Sequence, residues 1–239
     1  MNNSKFVDYF DKIYIINLES RADRRTEIEV ELKKINLSIT HPKIKLFKAI
    51  KPVATGEFPS IGARGCFLSH LGVLKDAKYN KYQRILIFED DLDLNISFHK
   101  ESDLVLNDLV TTDWDIFYGD YRIKDFSLKL TGNSKKIDFD LSVGTTDFIG
   151  FNGSVIDKLI DYFEVMMNRK GGDILGGPMH VDGAYTWFRK DNPNTCTIVA
   201  TPKLGYQRSS ASDIADFSWR KIIPFKKTII TFYKRLKRF

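Results

Sequence analysis

Along most of this chain, short apolar, β-branched runs alternate with segments of helical period. That alternation constrains the fold more than any other feature. Residues 12–18 (KIYIINL) read as a first buried strand. Residues 20–37 change period: Ile28, Leu32 and Ile35 recur at helical spacing between charges, with Ser20 placed as N-cap. Residues 44–50 form a second strand, and 51–62, with Pro52, Gly56 and Pro59, form a loop. A helix over 65–79 carries Phe67, Leu71 and Leu74 on one stripe, and it leads into a buried strand over 84–88 (RILIF). Further strands are expected over 114–118, 147–151 and 196–201, and helices over 101–110, 155–167 and 181–190. Residues 121–146 are polar and mixed and show no usable period. The pattern predicts an α/β fold with a mostly parallel central sheet flanked by helices. Ligands of such sheets bind beyond the carboxyl ends of the strands, so chemistry is expected there.

The 239 residues are enough to bury a core without disulfide or metal staples. The longest apolar runs, such as 13–16 and 85–88, fall far short of the roughly 20 residues that span a bilayer. Lys5, Asp8, Asp11 and Lys12 interrupt the N-terminus, which therefore does not read as a signal peptide. Cys66 and Cys196 have neither metal-ligand spacing nor a partner framework, and a reduced, cytoplasmic protein is expected.

Charge divides the chain into two parts. Residues 220–239 hold eight Lys or Arg and no acid; taken from the net charge of +6, they leave −2 for the rest. A nucleic-acid binder with a basic body does not look like this, so no nucleic-acid partner is expected. In the tail, Trp219, Ile222, Ile223, Phe225, Ile229, Ile230, Phe232, Tyr233, Leu236 and Phe239 interleave with the cations. This is the composition of a basic amphipathic helix lying on an anionic membrane surface. Residues 1–214 are therefore read as one catalytic domain and 215–239 as a membrane-associating tail.

Four constellations carry candidate chemistry. Glu89, Asp90, Asp91 and Asp93 directly follow the strand over 84–88, and carboxylates so crowded repel one another unless a cation joins them. Oxygen ligands of this kind suit Mg²⁺ or Mn²⁺. Asn17–Arg25 (NLESRADRR) lies where the first strand becomes the first helix, a place where backbone N–H groups and arginines can hold phosphate. There is no GxGxxG and no P-loop, which argues against a dinucleotide site or a Walker-type NTPase. Gly65–His70 (GCFLSH) places Ser69 and His70 on the third segment. His180-Val181-Asp182-Gly183 follows a glycine-rich stretch, 171–178, expected to be a mobile lid; there Asp182 is either an N-cap or a general base, and His180 a guess at a metal ligand.

Taken in order, IYIINLESRADRR, GARGCFLSHL, RILIFEDDLDL, WDIFYGD, HVDGAY and QRSSASDI resemble glycosyltransferase family 25 over roughly 12–214. These are the lipooligosaccharide galactosyltransferase-like enzymes of bacteria, related to collagen galactosyltransferases. The resemblance implies a GT-A-like fold, a UDP-sugar donor, a divalent metal and inversion at the anomeric carbon. It places Glu89-Asp90-Asp91 at a DXD-like site with Asp91 as metal ligand. It places Asn17, Arg21, Arg24, Ser69, His70, Glu89 and Asp90 on the donor side, and Asp182 as catalytic base. The implied acceptor is a lipid-linked oligosaccharide or other cell-surface glycan, at the inner face of the cytoplasmic membrane. One departure stands out: the family's usual Glu-Ile before Gly-Cys is Ala63-Arg64 here, which implies a different sugar, an impaired enzyme or an anion contact at Arg64. Competing readings are a UDP-glucose-dependent enzyme, a metal-dependent phosphohydrolase or nucleotidyltransferase using the same carboxylates, and a non-catalytic metal- and membrane-binding protein.

Overall fold

The computed structural model describes residues 5–125 and 128–208. The expected tail over 215–239 lies outside the described residues. A seven-stranded sheet runs through the molecule. Its strands are β1 (Lys12–Asn17), β2 (Ile44–Lys48), β3 (Arg84–Glu89), β5 (Ile116–Tyr118), β6 (Ser134–Ile137), β7 (Phe148–Asn152) and β8 (Thr197–Ala200), in the order β2-β1-β3-β7-β5-β8-β6. Five strands point the same way, as the alternation predicts. β7 runs against both of its neighbours, β3 and β5, and β6 runs against β8 at the edge. A second, two-stranded sheet pairs β4 (Leu92–Leu94) with β9 (Gly205–Gln207).

Helices cover both faces. α3 (Ile61–Tyr79), α5 (Val155–Met167) and α6 (Val181–Asp191) pack on one face, and α1 (Lys5–Tyr9), α2 (Ala22–Lys34) and α4 (Phe98–Thr111) on the other. Successive strand side chains point to opposite faces. Tyr14, Ile85, Ile87, Ile149 and Phe151 enter the α3 layer, while Ile13, Ile15, Leu86, Phe88 and Phe148 enter the α2 layer. Because both faces are covered, the strands read as unbroken apolar runs rather than alternating ones. The α2 layer is aromatic: Phe148 lies 4.7 Å from Phe88, 6.2 Å from Phe117 and 6.3 Å from Phe6, ring centre to ring centre. Gly119 makes room for it, since a Cβ there would stand 2.5 Å from the Phe148 ring.

Several boundaries differ from the sequence expectation. α3 begins four residues earlier than expected, with the Ser60 hydroxyl accepting from the Ala63 N–H at 3.0 Å. Ala63 and Arg64 thus lie in its first turn, and Arg64 donates to the Ala54 carbonyl at 2.8 Å, holding the loop before the helix. α2 starts after Arg21 with no side-chain cap, so Ser20 does not cap it. The segment 121–146 contributes edge strand β6. The glycine-rich stretch expected as a lid is tied down where it begins, its Gly171 N–H donating to Glu57 Oε2 at 2.9 Å. A Cβ at Gly177 would lie 1.9 Å from the Lys170 carbonyl oxygen, so only glycine fits that turn. Among the described residues, no helix is long and apolar enough to cross a membrane.

Candidate active site

The candidate site forms where β1, β3 and β5 end and reversed β7 begins. Alternation along β3 and the turn after it sorts its carboxylates: Glu89 turns to the α3 layer and Asp90 to the α2 layer. On the α2 side, Asp90 Oδ1 accepts from Arg24 at 2.7 Å and Asp90 Oδ2 from the Asn17 side-chain amide at 2.7 Å. Arg24 also reaches within 3.8 Å of Asp91 Oδ2. Arg25, left out of the sequence-based set, donates to Asn17 Oδ1 at 3.0 Å and fixes the amide that reads Asp90. Arg21 pairs with Asp23 at 2.8 Å at the head of α2.

On the α3 side, Glu89 Oε1 gathers three partners. Thr146 Oγ1 donates at 2.7 Å, His70 Nε2 lies at 3.2 Å and Cys66 Sγ at 3.9 Å. The other imidazole nitrogen, His70 Nδ1, meets the Tyr185 hydroxyl of α6 at 3.1 Å. Cys66 and His70 are one helical turn apart on α3, which is why both reach the same oxygen. Ligand atoms of Cys66, His70 and Glu89 lie within 4.8 Å of one another. With both ring nitrogens engaged, the group acts as a network that aims Glu89. Burial penalises the Glu89 charge, but His70, Thr146 and Arg24 outweigh it and hold the carboxyl below its usual range. Burial pushes the Cys66 thiol up, so it is not a thiolate. Ser69 does not reach these groups through the bonds it makes: its hydroxyl donates to the Gly65 carbonyl and accepts from the Ile50 N–H, joining α3 to the loop after β2.

Asp91, in the turn after β3, is buried. Its Oδ2 accepts weakly from the Gln207 side chain at 3.4 Å, and among the described residues its buried Oδ1 has no hydrogen-bond partner. Burial first, and the Glu89 charge second, push its pKa up to about 7. A buried carboxylate oxygen with no donor, beside other carboxylates, is what a hard cation would satisfy, so the donor set fits Mg²⁺ or Mn²⁺. Asp182 stands half-buried in the first turn of α6; its Oδ1 accepts from the Gly183 N–H at 2.8 Å. Its Oδ2 lies 3.7 Å from where a Cβ on Gly144 would stand, and α6 packs on the same sheet face as α3. His180 is the exposed N-cap of α6 and joins no cluster of metal-ligating side chains among the described residues.

Two carboxylates here were not expected from the sequence as site residues: Asp147, at the start of β7, and Asp120, just after β5. Asp147 is fully buried. Burial and the charges of Asp120, Glu89 and Asp91 push its pKa up to about 9. In sequence each is one acid at the end of an apolar run; only the strand order brings them beside Glu89.

Compared with known proteins, residues 54–143 match the family model described as glycosyltransferase family 25 (LPS biosynthesis protein). The chain is 29% identical over 127 residues to procollagen galactosyltransferase 1-B of Xenopus laevis, covering 46% of this chain and 21% of that protein. It is 27% identical over 127 residues to a probable inactive glycosyltransferase 25 family member 3 of Rattus norvegicus, covering 46% and 22%. It spans about a fifth of the length of these curated relatives. A solved glycosyltransferase involved in glycosylation of the major capsid of PBCV-1 aligns with a TM-score of 0.48 at 12% identity, over 79% of this chain and 80% of that one.

Proposed function

We propose that this chain, which carries a glycosyltransferase family 25 segment over residues 54–143, transfers a hexose from a nucleotide-sugar donor, UDP-galactose, to a cell-surface glycan acceptor with inversion. The observation that carries this reading is the carboxylate set at the strand ends, with Asp91 Oδ1 unsatisfied and Arg24 beside it. Mn²⁺ or Mg²⁺ held through Asp91 would supply charge neutralisation for a diphosphate leaving group. Arg24, already oriented by Asp90, adds a fixed cation on the α2 side, and Arg21 extends it at the head of the helix. Asn17 and Asp90, locked together at 2.7 Å, offer a polar wall to the donor. Glu89, kept ionised by its donors, faces the developing positive charge of an oxocarbenium-like ring. Asp182, in the first turn of α6, is the group in this reading that takes the acceptor hydroxyl proton.

The test is thermal stabilisation by UDP with Mn²⁺, set beside GDP, CMP and ADP, followed by transfer from UDP-sugars. A shift selective for UDP with Mn²⁺ is expected in wild type and in Asp182→Asn. Transfer should fall at least about a hundredfold in Asp182→Asn, the range for loss of a general base. A UDP-selective shift with near-wild-type transfer in that variant sinks the base assignment, and no shift with any nucleotide sinks the donor reading.

The eight cations interleaved with aromatics in 220–239 support attachment to an anionic membrane, where a lipid-linked oligosaccharide acceptor would be met. Deleting 219–239 should release the protein from vesicles containing anionic lipid while leaving those of neutral lipid unaffected; retained binding counts against the attachment.

A further inference from the structure

One oxygen, Glu89 Oε1, is crowded by possible donors. Thr146 Oγ1 stands 2.7 Å from it, His70 Nε2 3.2 Å and Cys66 Sγ 3.9 Å. A carboxylate oxygen offers about two lone-pair positions, so three donors compete for them. The imidazole, the thiol and the carboxylate are also metal-ligating groups, and their ligand atoms all lie within 4.8 Å of one another. Zinc held tetrahedrally, with Zn–S about 2.3 Å and Zn–N or Zn–O about 2.0 Å, needs ligand atoms about 3.3–3.6 Å apart. The imidazole-to-carboxylate edge of 3.2 Å meets that, and the thiol-to-carboxylate edge of 3.9 Å needs only a small closure.

The surroundings fit the same ion. Cys66 and His70 sit one turn apart on a single face of α3, so the helix presets two ligands and the end of β3 supplies the third. His70 Nδ1 lies 3.1 Å from the Tyr185 hydroxyl. A metal-ligating histidine almost always holds a partner through its other nitrogen. The hydroxyl can accept as well as donate, so it can fix the ring with the proton on Nδ1 and leave Nε2 to a metal. His70 is fully buried while Cys66 and Glu89 are half-buried, which leaves an entry path on their side. A thiolate and a carboxylate together balance the two charges of Zn²⁺. Thiolate and imidazole also favour Zn²⁺ over the Mg²⁺ or Mn²⁺ that suits the oxygen donor of Asp91.

We propose that Cys66, His70 and Glu89 bind Zn²⁺, and that its occupancy stops transfer by taking Glu89 Oε1 out of the sugar site. The Zn–S bond forms as the Cys66 S–H bond breaks, and the thiol proton leaves to solvent. One ion then replaces the His70 and Cys66 contacts to Oε1, and Thr146 keeps the remaining lone pair. Three protein ligands leave a fourth position to water, the pattern of an exchangeable rather than a closed site. The site rests on its own geometry; only the inhibition rests on the transferase reading.

The experiment is a Co²⁺ titration of the EDTA-stripped full chain, with Co²⁺ standing in for Zn²⁺ and read by its thiolate charge-transfer absorption. Wild type should develop the band at one equivalent. Cys66→Ser should lose it, and Cys196→Ser, at the other free cysteine, should keep it. Tyr185→Phe should weaken Co²⁺ affinity by about ten- to a hundredfold, the range for an outer-shell partner. No band in wild type overturns the site, as does a band that survives in Cys66→Ser. If Cys66→Ser fails to fold, alkylation of wild type decides: Zn²⁺ should slow labelling of Cys66 at least about tenfold and leave Cys196 unchanged, and equal labelling of Cys66 overturns the site. Zn²⁺ added to wild type in Mn²⁺ should lower transfer at least about tenfold, and transfer at the zinc-free rate overturns the inhibition. The band in a wild type that transfers no sugar upholds the site and removes the transferase reading.

Discussion

Replacing Asp91 by asparagine should reduce sugar transfer by about a hundred- to a thousandfold, the range for removing one preorganised electrostatic contact to a transition state. Asp91 is a buried carboxylate with an unsatisfied oxygen, and Arg24 alone stands within 4.0 Å of it as a cation among the described residues. The variant should also lose the Mn²⁺-dependent part of the stabilisation by UDP. Its metal-free melting temperature should stay the same or rise. The raised Asp91 pKa, about 7, means that burial and Glu89 disfavour the charge in the fold, so removing that charge relieves the native state. Thermal melts in EDTA and with UDP plus Mn²⁺, read beside initial transfer rates, check all three outcomes. A low melting temperature in EDTA would mean that Asp91 holds the fold together, and transfer at the wild-type rate would remove it from the site.

Phe148→Ala should be the most damaging single change to stability, by about 3–5 kcal/mol. Phe148 is fully buried among Phe6, Phe88, Phe98 and Phe117, and Gly119 has already given up its side chain to admit the ring. The aromatic neighbours come from α1, β3, α4 and β5, so no one element can shift to fill the space. At about 2–4 °C per kcal/mol for a chain of this size, the melting temperature should fall by roughly 10 °C. The same truncation at Val53, which is 99% exposed, should shift it by less than about 0.5 kcal/mol.

The contrast between these residues shows what was legible in the sequence. Apolar runs such as RILIF and IYIIN announced buried strands because both faces of each are covered, and burial of both faces needs no partner to be visible. The acidic turn after β3 and the Asn17–Arg25 run were visible as local density of charge at a change of period. Asp90 meets both Asn17 and Arg24 because β1 and β3 are neighbours in register. The direction of β7 was not legible, since a buried strand has the same composition whichever way it runs. Nor was edge strand β6, whose SKKI sequence is half exposed and polar. The early start of α3 was hidden by Pro59 and the glycines that made 51–62 read as loop, although Ser60 three residues before Ala63 is a capping arrangement.

The sequence by itself determined the α/β class, the strand that ends in Glu89-Asp90-Asp91, the match of residues 54–143 to the glycosyltransferase family 25 model, and the concentration of positive charge at the C-terminus. These follow from periodicity, composition and short-range spacing, which are properties of neighbours along the chain. Tertiary structure alone decided that Cys66, His70 and Thr146 hold Glu89, that Ser69 bonds backbone, and that Asp120 and Asp147 stand beside the acidic turn. Those contacts join residues up to dozens of positions apart through strand order and strand direction. Both are set by how the apolar faces of the whole sheet pack against two helical layers, and no local window of the chain contains that information.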